Sequence, residues 1–322
     1  MRQVRPELFE KYKHLGLIDV HNHDADYYMH QGSIETWERY YIDKTVLFGA
    51  ISEPSAIQSD RLSWEAYEKF PHKFYPFFSG FPMHDKQGLH TIKQNLEKGY
   101  YGIGETVAAS TYSPLTSKLE WKAQHPMDGN LPEIYQLCVE YHVPILLHID
   151  PPFGEVIDQL EIALDTYPDT SFIFAHANVF NPPRHIEHLL SKHPNLYMDF
   201  FAGFAAYDPN NEYPLEDYIP VIKKYPTQFL LSTDSACAQN LDYEKAINAM
   251  YEVIDLCQDE RIGEQIGRTN FLQLIESQPP TQTQFAIINK YSTTLPESIN
   301  LHTLNKRQAH ELMIKYNLYP RG

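Results

Sequence analysis

Short apolar runs alternate with amphipathic stretches along most of the chain. The runs are Leu17–His23, Lys44–Ile51, Lys73–Gly80, Tyr100–Thr106, His142–Ile149, Ser171–Ala177, Asn195–Ala202 and Thr227–Asp234. This is the pattern of a repeated strand–helix unit whose parallel sheet is buried on both faces. Between the runs, Val156, Leu160, Ala163 and Leu164 recur at helical spacing, as do Tyr243, Ala246, Ile247, Met250, Ile254 and Cys257. Eight strands separated by helices predict a closed (β/α)8 TIM barrel rather than an open doubly wound sheet, and no GxGxxG turn follows an early strand. Two connections are long, Val107–Asn130 and Gly203–Tyr213, and both fall where such a barrel builds its active site. Ordinary variable loops would read the same way. At Ser277 the pattern breaks into SQPPTQTQ and resumes as a helical stretch over Leu304–Tyr316. We therefore divide the chain into a barrel, 1–276, and a C-terminal helical extension, 277–322, expected to cover the barrel base or to join two copies in a homodimer.

Composition narrows the setting. A chain of 322 residues, 43% of them hydrophobic, can bury one large core. No apolar stretch is long enough to span a bilayer, and the opening MRQVRPELFEKYKHLG has no signal-peptide core, so a cytoplasmic protein without a membrane partner is expected. Cys138, Cys237 and Cys257 are too scattered for a disulfide framework or a zinc knuckle. A net charge of −16 argues against nucleic acid, which needs clustered Lys and Arg. The expected partner is a small-molecule substrate.

Chemistry enters at the strand ends. The first run ends in His21 and His23, two apart and so on one side of a strand; the fourth reaches Glu105, the fifth His148, the sixth His176 and the eighth Asp234. Each alone has an ordinary explanation: a packed histidine, a salt-bridging glutamate, an aspartate capping a helix. Together they put metal-binding side chains at corresponding places in five strands, each after an apolar run that would bury an unpaired polar group at a cost of several kcal/mol. Imidazole and carboxylate ligands suit zinc, manganese or iron, with zinc the first choice, as one or two ions. Asp19 lies on the same side as His21 and is a candidate to orient a ligand histidine.

The ordered set IDVHNH, GIGET, PILLHID, FIFAHAN and LLSTDSA resembles the amidohydrolase superfamily over roughly residues 15 to 276. The segment Ile266–Leu272 (IGRTNFL) is similar to one that closes many members of its amidohydrolase-related branch. The resemblance implies that His21, His23, His148, His176 and Asp234 are metal ligands, with Asp234 also the general base of a hydrolase that uses metal-activated water. Many binuclear members carry a carboxylated lysine at the end of the fourth strand. Glu105 stands there instead, as in branches similar to TatD-type deoxyribonucleases, and predicts a glutamate-bridged two-metal site, with a one-metal site of His21, His23, His176 and Asp234 the alternative.

Hydrolysis of an amide, ester, lactone or phosphoester bond is the expected activity. The branch also contains zinc-dependent non-oxidative decarboxylases of the aminocarboxymuconate-semialdehyde type. That chemistry needs a cation for the substrate carboxylate, and Arg184 is the candidate, although the first turn of an exposed helix explains it better. Tyr27, Tyr28, His30, Tyr112 and Tyr207 fall in predicted rim loops as candidate substrate contacts. Cys237 follows Asp234 with nothing nearby in sequence to activate it. A non-catalytic metal-binding barrel is the third reading, disfavoured because Asp234 and the whole ligand set are present.

Overall fold

The computed structural model describes residues 2–28, 32–291, 295, 300 and 303–318, without the side chains at 27, 28, 32 and 33. All eight apolar runs contain strands: β1 (Leu17–Asn22), β2 (Ile42–Leu47), β3 (Phe74–Phe78), β4 (Gly102–Ala109), β5 (Ile145–Ile149), β6 (Phe172–Phe174), β7 (Leu196–Phe201) and β8 (Phe229–Ser232). Each pairs in parallel with the next in chain order. β8 returns to lie beside β1, where the Asp19 carboxylate accepts from Thr233 N at 2.9 Å and Thr233 Oγ1 at 2.7 Å. The result is the eight-stranded barrel with helices outside it. β4 and β5 are buried along their whole length, so the apolar runs follow from a sheet covered on both faces.

The helical spacing likewise gives helices at Glu155–Thr166 and Tyr243–Cys257. Asn270, within the IGRTNFL segment, donates from Nδ2 to the carbonyls of Pro226 and Phe229 at 2.7 and 2.8 Å and so fixes the start of β8. The long connection after β4 is present as a loop. The connection read as Gly203–Tyr213 is not all loop: Ala202–Tyr207 form a helix, because small Ala and Gly residues let it sit closely on Tyr243–Cys257. A Cβ on Gly203 would meet the Ala246 backbone at 3.1 Å.

Beyond residue 277, the helices Gln282–Lys290 and Lys306–Lys315 enclose a small apolar cluster of Ile288, Leu295, Ala309, Met313 and Leu318. They dock at the end of the barrel where β3 and β4 begin. Gln278 Nε2 donates to Tyr101 O at 2.8 Å, Lys306 Nζ to Tyr100 O at 3.1 Å, and Arg307 Nη1 to Tyr75 Oη at 2.6 Å. Lys306 is buried there, and loss of solvation pushes its ammonium pKa down to about 7. No helix among the described residues is long and apolar enough to cross a membrane.

Candidate metal centre

The opposite end of the barrel gathers the six strand-end residues singled out in the sequence. Gly104 makes the central placement feasible: its φ is +132°, and a Cβ there would meet Leu146 O at 2.6 Å, so only glycine lets β4 deliver Glu105 to this point. His21 and Glu105 are buried, and His23 is half-exposed at the floor of a cleft.

Tautomers follow from the outer partners. His21 Nδ1 lies 2.7 Å from the Asp199 carboxylate and His23 Nδ1 lies 2.9 Å from the Gly49 carbonyl, both acceptors, so each Nδ1 carries the hydrogen. Both Nε2 atoms of the neutral rings therefore present lone pairs, and these atoms stand 3.0 Å apart. Glu105 Oε2 is 3.6 and 3.3 Å from them, and Asp234 Oδ1 is 3.3 and 3.5 Å from them. Four electron-pair donors thus converge with no hydrogen between them.

A second set adjoins it. His148 Nε2 donates to Asp150 Oδ2 at 2.8 Å, which leaves its Nδ1 as a lone pair 3.0 Å from Glu105 Oε1 and 3.0 Å from His176 Nε2. His176 Nε2 is in turn 3.0 Å from Glu105 Oε1, and its buried Nδ1 has no hydrogen-bond partner. Glu105 gives one oxygen to each set. In the first set acceptors this close repel unless a cation lies among them, and in the second a cation would take the place of a single hydrogen on His176 Nε2, so the donors fit divalent ions, and nitrogen with carboxylate oxygen is the mixture that zinc, manganese and iron accept.

Without metal, protons must fill that role. Burial opposes charging His21, yet the carboxylates of Asp234, Asp199 and Glu105 outweigh it and hold its pKa well above the usual imidazole value. His23 and His148 are also penalised by burial, but Asp234 and Glu105 raise the first to about 9, and Asp150 and Glu105 raise the second to about 9. Glu105, despite burial, is held well below its ordinary range by His21, His148 and His176. The sign of the linkage follows. Raised histidines stabilise the metal-free fold below about pH 6.5 and lose that contribution towards about 9; the depressed carboxylates lose theirs only in acid. The chelated protein is expected to melt at a higher temperature at pH 6 than at pH 9, and zinc added at pH 8 to raise the midpoint while releasing protons. Differential scanning fluorimetry reads the first and a pH-stat the second; a midpoint that rises with pH in chelator would contradict this assignment.

The backbone around the site is held in sparsely populated conformations. His176 has φ 34°, and Asp234, Ser235 and Ala236 have φ 45°, 50° and 57°, left-handed values that cost non-glycine residues about 1–3 kcal/mol each. Hydrogen bonds maintain them: His23 N donates to Ser235 Oγ at 2.7 Å, and His176 N donates to Asp199 Oδ2 at 2.9 Å. Asp199 on β7, absent from the sequence reading, thus orients His21 and anchors His176 with one oxygen. Asp19 was expected to orient a histidine ring and does not; its oxygens are taken by Thr233 and by the amide of His21. Asp150, two residues after His148, is the other unread partner, tied down by Ser110 Oγ at 2.7 Å and Thr111 N at 2.6 Å.

A cleft of about 590 Å³ opens above Glu105, with His23, His148, His176 and Asp234 on its floor. Tyr112 lines it, from the long loop after β4. Cys237 lines it too, and desolvation in the cleft with the nearby carboxylates of Asp234 and Glu105 raises its thiol pKa to about 11, which does not make it a nucleophile. Arg184 does not reach the cleft: the helix Pro183–Lys192 buries Ile186, Leu189 and Leu190, which leaves Arg184 on the solvent side. Tyr207 is also elsewhere, its hydroxyl donating to Glu252 Oε1 at 3.2 Å because the helix Ala202–Tyr207 turns it towards Tyr243–Cys257. His30 and the side chains of Tyr27 and Tyr28 lie outside the described residues.

No family model matches the chain. In sequence it is 26% identical over 247 residues to the Resact receptor of Arbacia punctulata, a match covering 73% of this chain and only 22% of that protein's length. In structure it is similar to a dihydroxybenzoic acid decarboxylase from Polaromonas sp. JS666 with bound manganese, at 15% identity and a TM-score of 0.53, covering 81% of this chain and 96% of the other. It is equally similar to the phosphotriesterase homology protein of Escherichia coli, which holds phosphate in its active site, at 13% identity and a TM-score of 0.53, covering 80% and 98%. The chain is a (β/α)8 barrel of the fold these proteins share, and that fold agrees with the resemblance to the amidohydrolase superfamily read from its strand-end motifs.

Proposed function

We propose that this chain is a metal-dependent hydrolase whose Glu105, set between two groups of histidines, would help to hold two divalent ions, and that it cleaves an ester, lactone, amide or phosphoester bond of a small molecule. The observation that carries the reading is the division of Glu105 between two sets of histidine lone pairs, Oε2 towards His21 and His23 and Oε1 towards His148 and His176. His21, His23 and Asp234 would complete one position, His148 and His176 the other. Ions bound there supply Lewis acidity and bring the pKa of water towards neutrality. Asp234, at the cleft floor with Oδ1 facing the first set, accepts the proton of the attacking water and returns it to the leaving group. Asp199 and Asp150 keep His21 and His148 in the tautomers that turn lone pairs inward. The loop after β4 brings Thr116 Oγ1 to 3.2 Å from His148 Nε2 and walls off solvent on that side.

Decarboxylation has less support. It calls for a cation beside the substrate carboxylate, Arg184 faces solvent, and the described lining of the cleft contains neither lysine nor arginine. The test is metal content with turnover. Elemental analysis is expected to find two equivalents per chain after loading with zinc or manganese; chelation should abolish hydrolysis of a panel of esters, lactones and phosphoesters, and metal should restore it. Failure to bind metal, or turnover indifferent to complete chelation, would sink the proposal.

A further inference from the structure

The floor of the cleft is polar, and among the described residues most of its walls are apolar. Its walls include Ile51, Leu115, Leu119, Phe180, Phe201 and Phe204, contributed by the segments after β2, β4 and β6 and by the end of β7 with the helix that follows it, so the apolar lining comes from four parts of the rim. Among the described residues the charged side chains that line it are acidic, Glu53, Glu105 and Asp234, with His23, His148 and His176 in the proposed ligand set. The apolar character continues at the mouth, where Leu115 is 72% exposed and the Tyr112 and Phe153 rings meet edge to face at 6.1 Å, 53% and 61% exposed. Large apolar side chains left in water beside a cleft mark a surface that binds something apolar. The positive charge brought by bound ions is confined to the floor. A carboxylate or phosphate further up would be desolvated against apolar walls, without a partner and near Glu53.

We infer that the substrate is an uncharged carboxylic ester or lactone whose scissile carbonyl meets the floor and whose acyl or ring portion, lying along the walls, is apolar. This rests on the hydrolase reading above. The step balances without a further reactant: water oxygen bonds to the acyl carbon, the carbon–oxygen bond to the leaving alcohol breaks, and the proton removed from water reaches the alkoxide through Asp234. Phosphomonoesters and substrates carrying a distal carboxylate are poor fits.

The experiment compares p-nitrophenyl hexanoate with mono-p-nitrophenyl adipate, equal in chain length but ending in a carboxylate, on the zinc-loaded protein. The quantity is kcat/KM, from which unproductive binding of the carboxylate at the ions cancels. The neutral ester is expected to be favoured roughly 100-fold, as the unpaired desolvated charge implies. Leu115→Lys, a change at an exposed wall position, is expected to narrow the ratio about tenfold by giving that carboxylate a partner. Equal or better turnover of the adipate ester by the unaltered protein would overturn the inference while leaving the hydrolase reading standing. Nile red, an uncharged apolar dye, gives a readout independent of chemistry: it should brighten on binding and be displaced by hexanophenone. Dye binding and displacement without turnover of any carboxylic ester or lactone would overturn the ester inference and keep the apolar binding class, and the hydrolase reading falls with it only if amides and phosphoesters also stay intact. Absence of dye binding would overturn that class.

Discussion

Glu105→Ala is expected to remove both ions at once and to take turnover below detection. Its carboxylate is buried and touches all four histidines, so its loss leaves two sets of ligands without their shared anion. Deleting one partner from a buried charged pair costs about 3–5 kcal/mol, which in affinity is about 10²–10⁴-fold for each position it serves. A terminal ligand behaves differently: His148→Ala should deplete one ion and leave the other near full occupancy. Glu105→Asp sharpens the contrast, because it keeps the charge but shortens the reach by one methylene and cannot serve both sets; one ion per chain is expected. Circular dichroism and the melting midpoint in chelator establish that each variant is folded, and elemental analysis then counts ions. Two tightly held ions in Glu105→Ala would refute the bridge. Loss of only one would assign Glu105 to a single position.

Why the six strand-end residues were legible in the sequence while their supports were not is a matter of range. A parallel strand buried on both faces writes itself as a local apolar run, and its last polar residue is conspicuous, so His21, His23, Glu105, His148, His176 and Asp234 could be read one strand at a time. Asp199 sits inside its strand, in YMDFF, and its role depends on the distance to β1, which a single run cannot reveal. An acid within an apolar strand was nonetheless a signal, since such a group is buried only with partners. Asp19 gave the same signal and was paired with the wrong neighbour: alternation puts it on the side of His21, but β8 closes the barrel and brings Thr233 closer. Arg184 and Tyr207 failed for a different reason. Their direction depends on helix phase, and for Tyr207 on recognising a helix where Gly203–Tyr213 read as loop. The apolar walls were not read at all, because they come from four segments far apart in the chain and no local pattern joins them.

Asp234→Asn is expected to lower kcat by about 10²–10⁴-fold, the usual worth of a positioned proton acceptor, while the protein keeps its fold and most of its metal. The substitution is chosen for the backbone as much as for the charge. Asp234 has φ 45°, and asparagine is among the few residues that occupy this region readily, whereas alanine would add strain to a turn that already holds Ser235 and Ala236 at positive φ. Asparagine also keeps an oxygen where Oδ1 lies, 3.3 Å from His21 Nε2 and 3.5 Å from His23 Nε2, so a ligand atom is retained and only the basic lone pair is lost. Metal content and turnover therefore separate. If Asp234 were purely a ligand, turnover would track occupancy, and raising the zinc concentration would restore both. If it carries the proton, occupancy saturates and kcat stays low at every metal concentration. An ester with a better leaving group should then recover part of the loss, because a less basic alkoxide depends less on the proton that Asp234 returns.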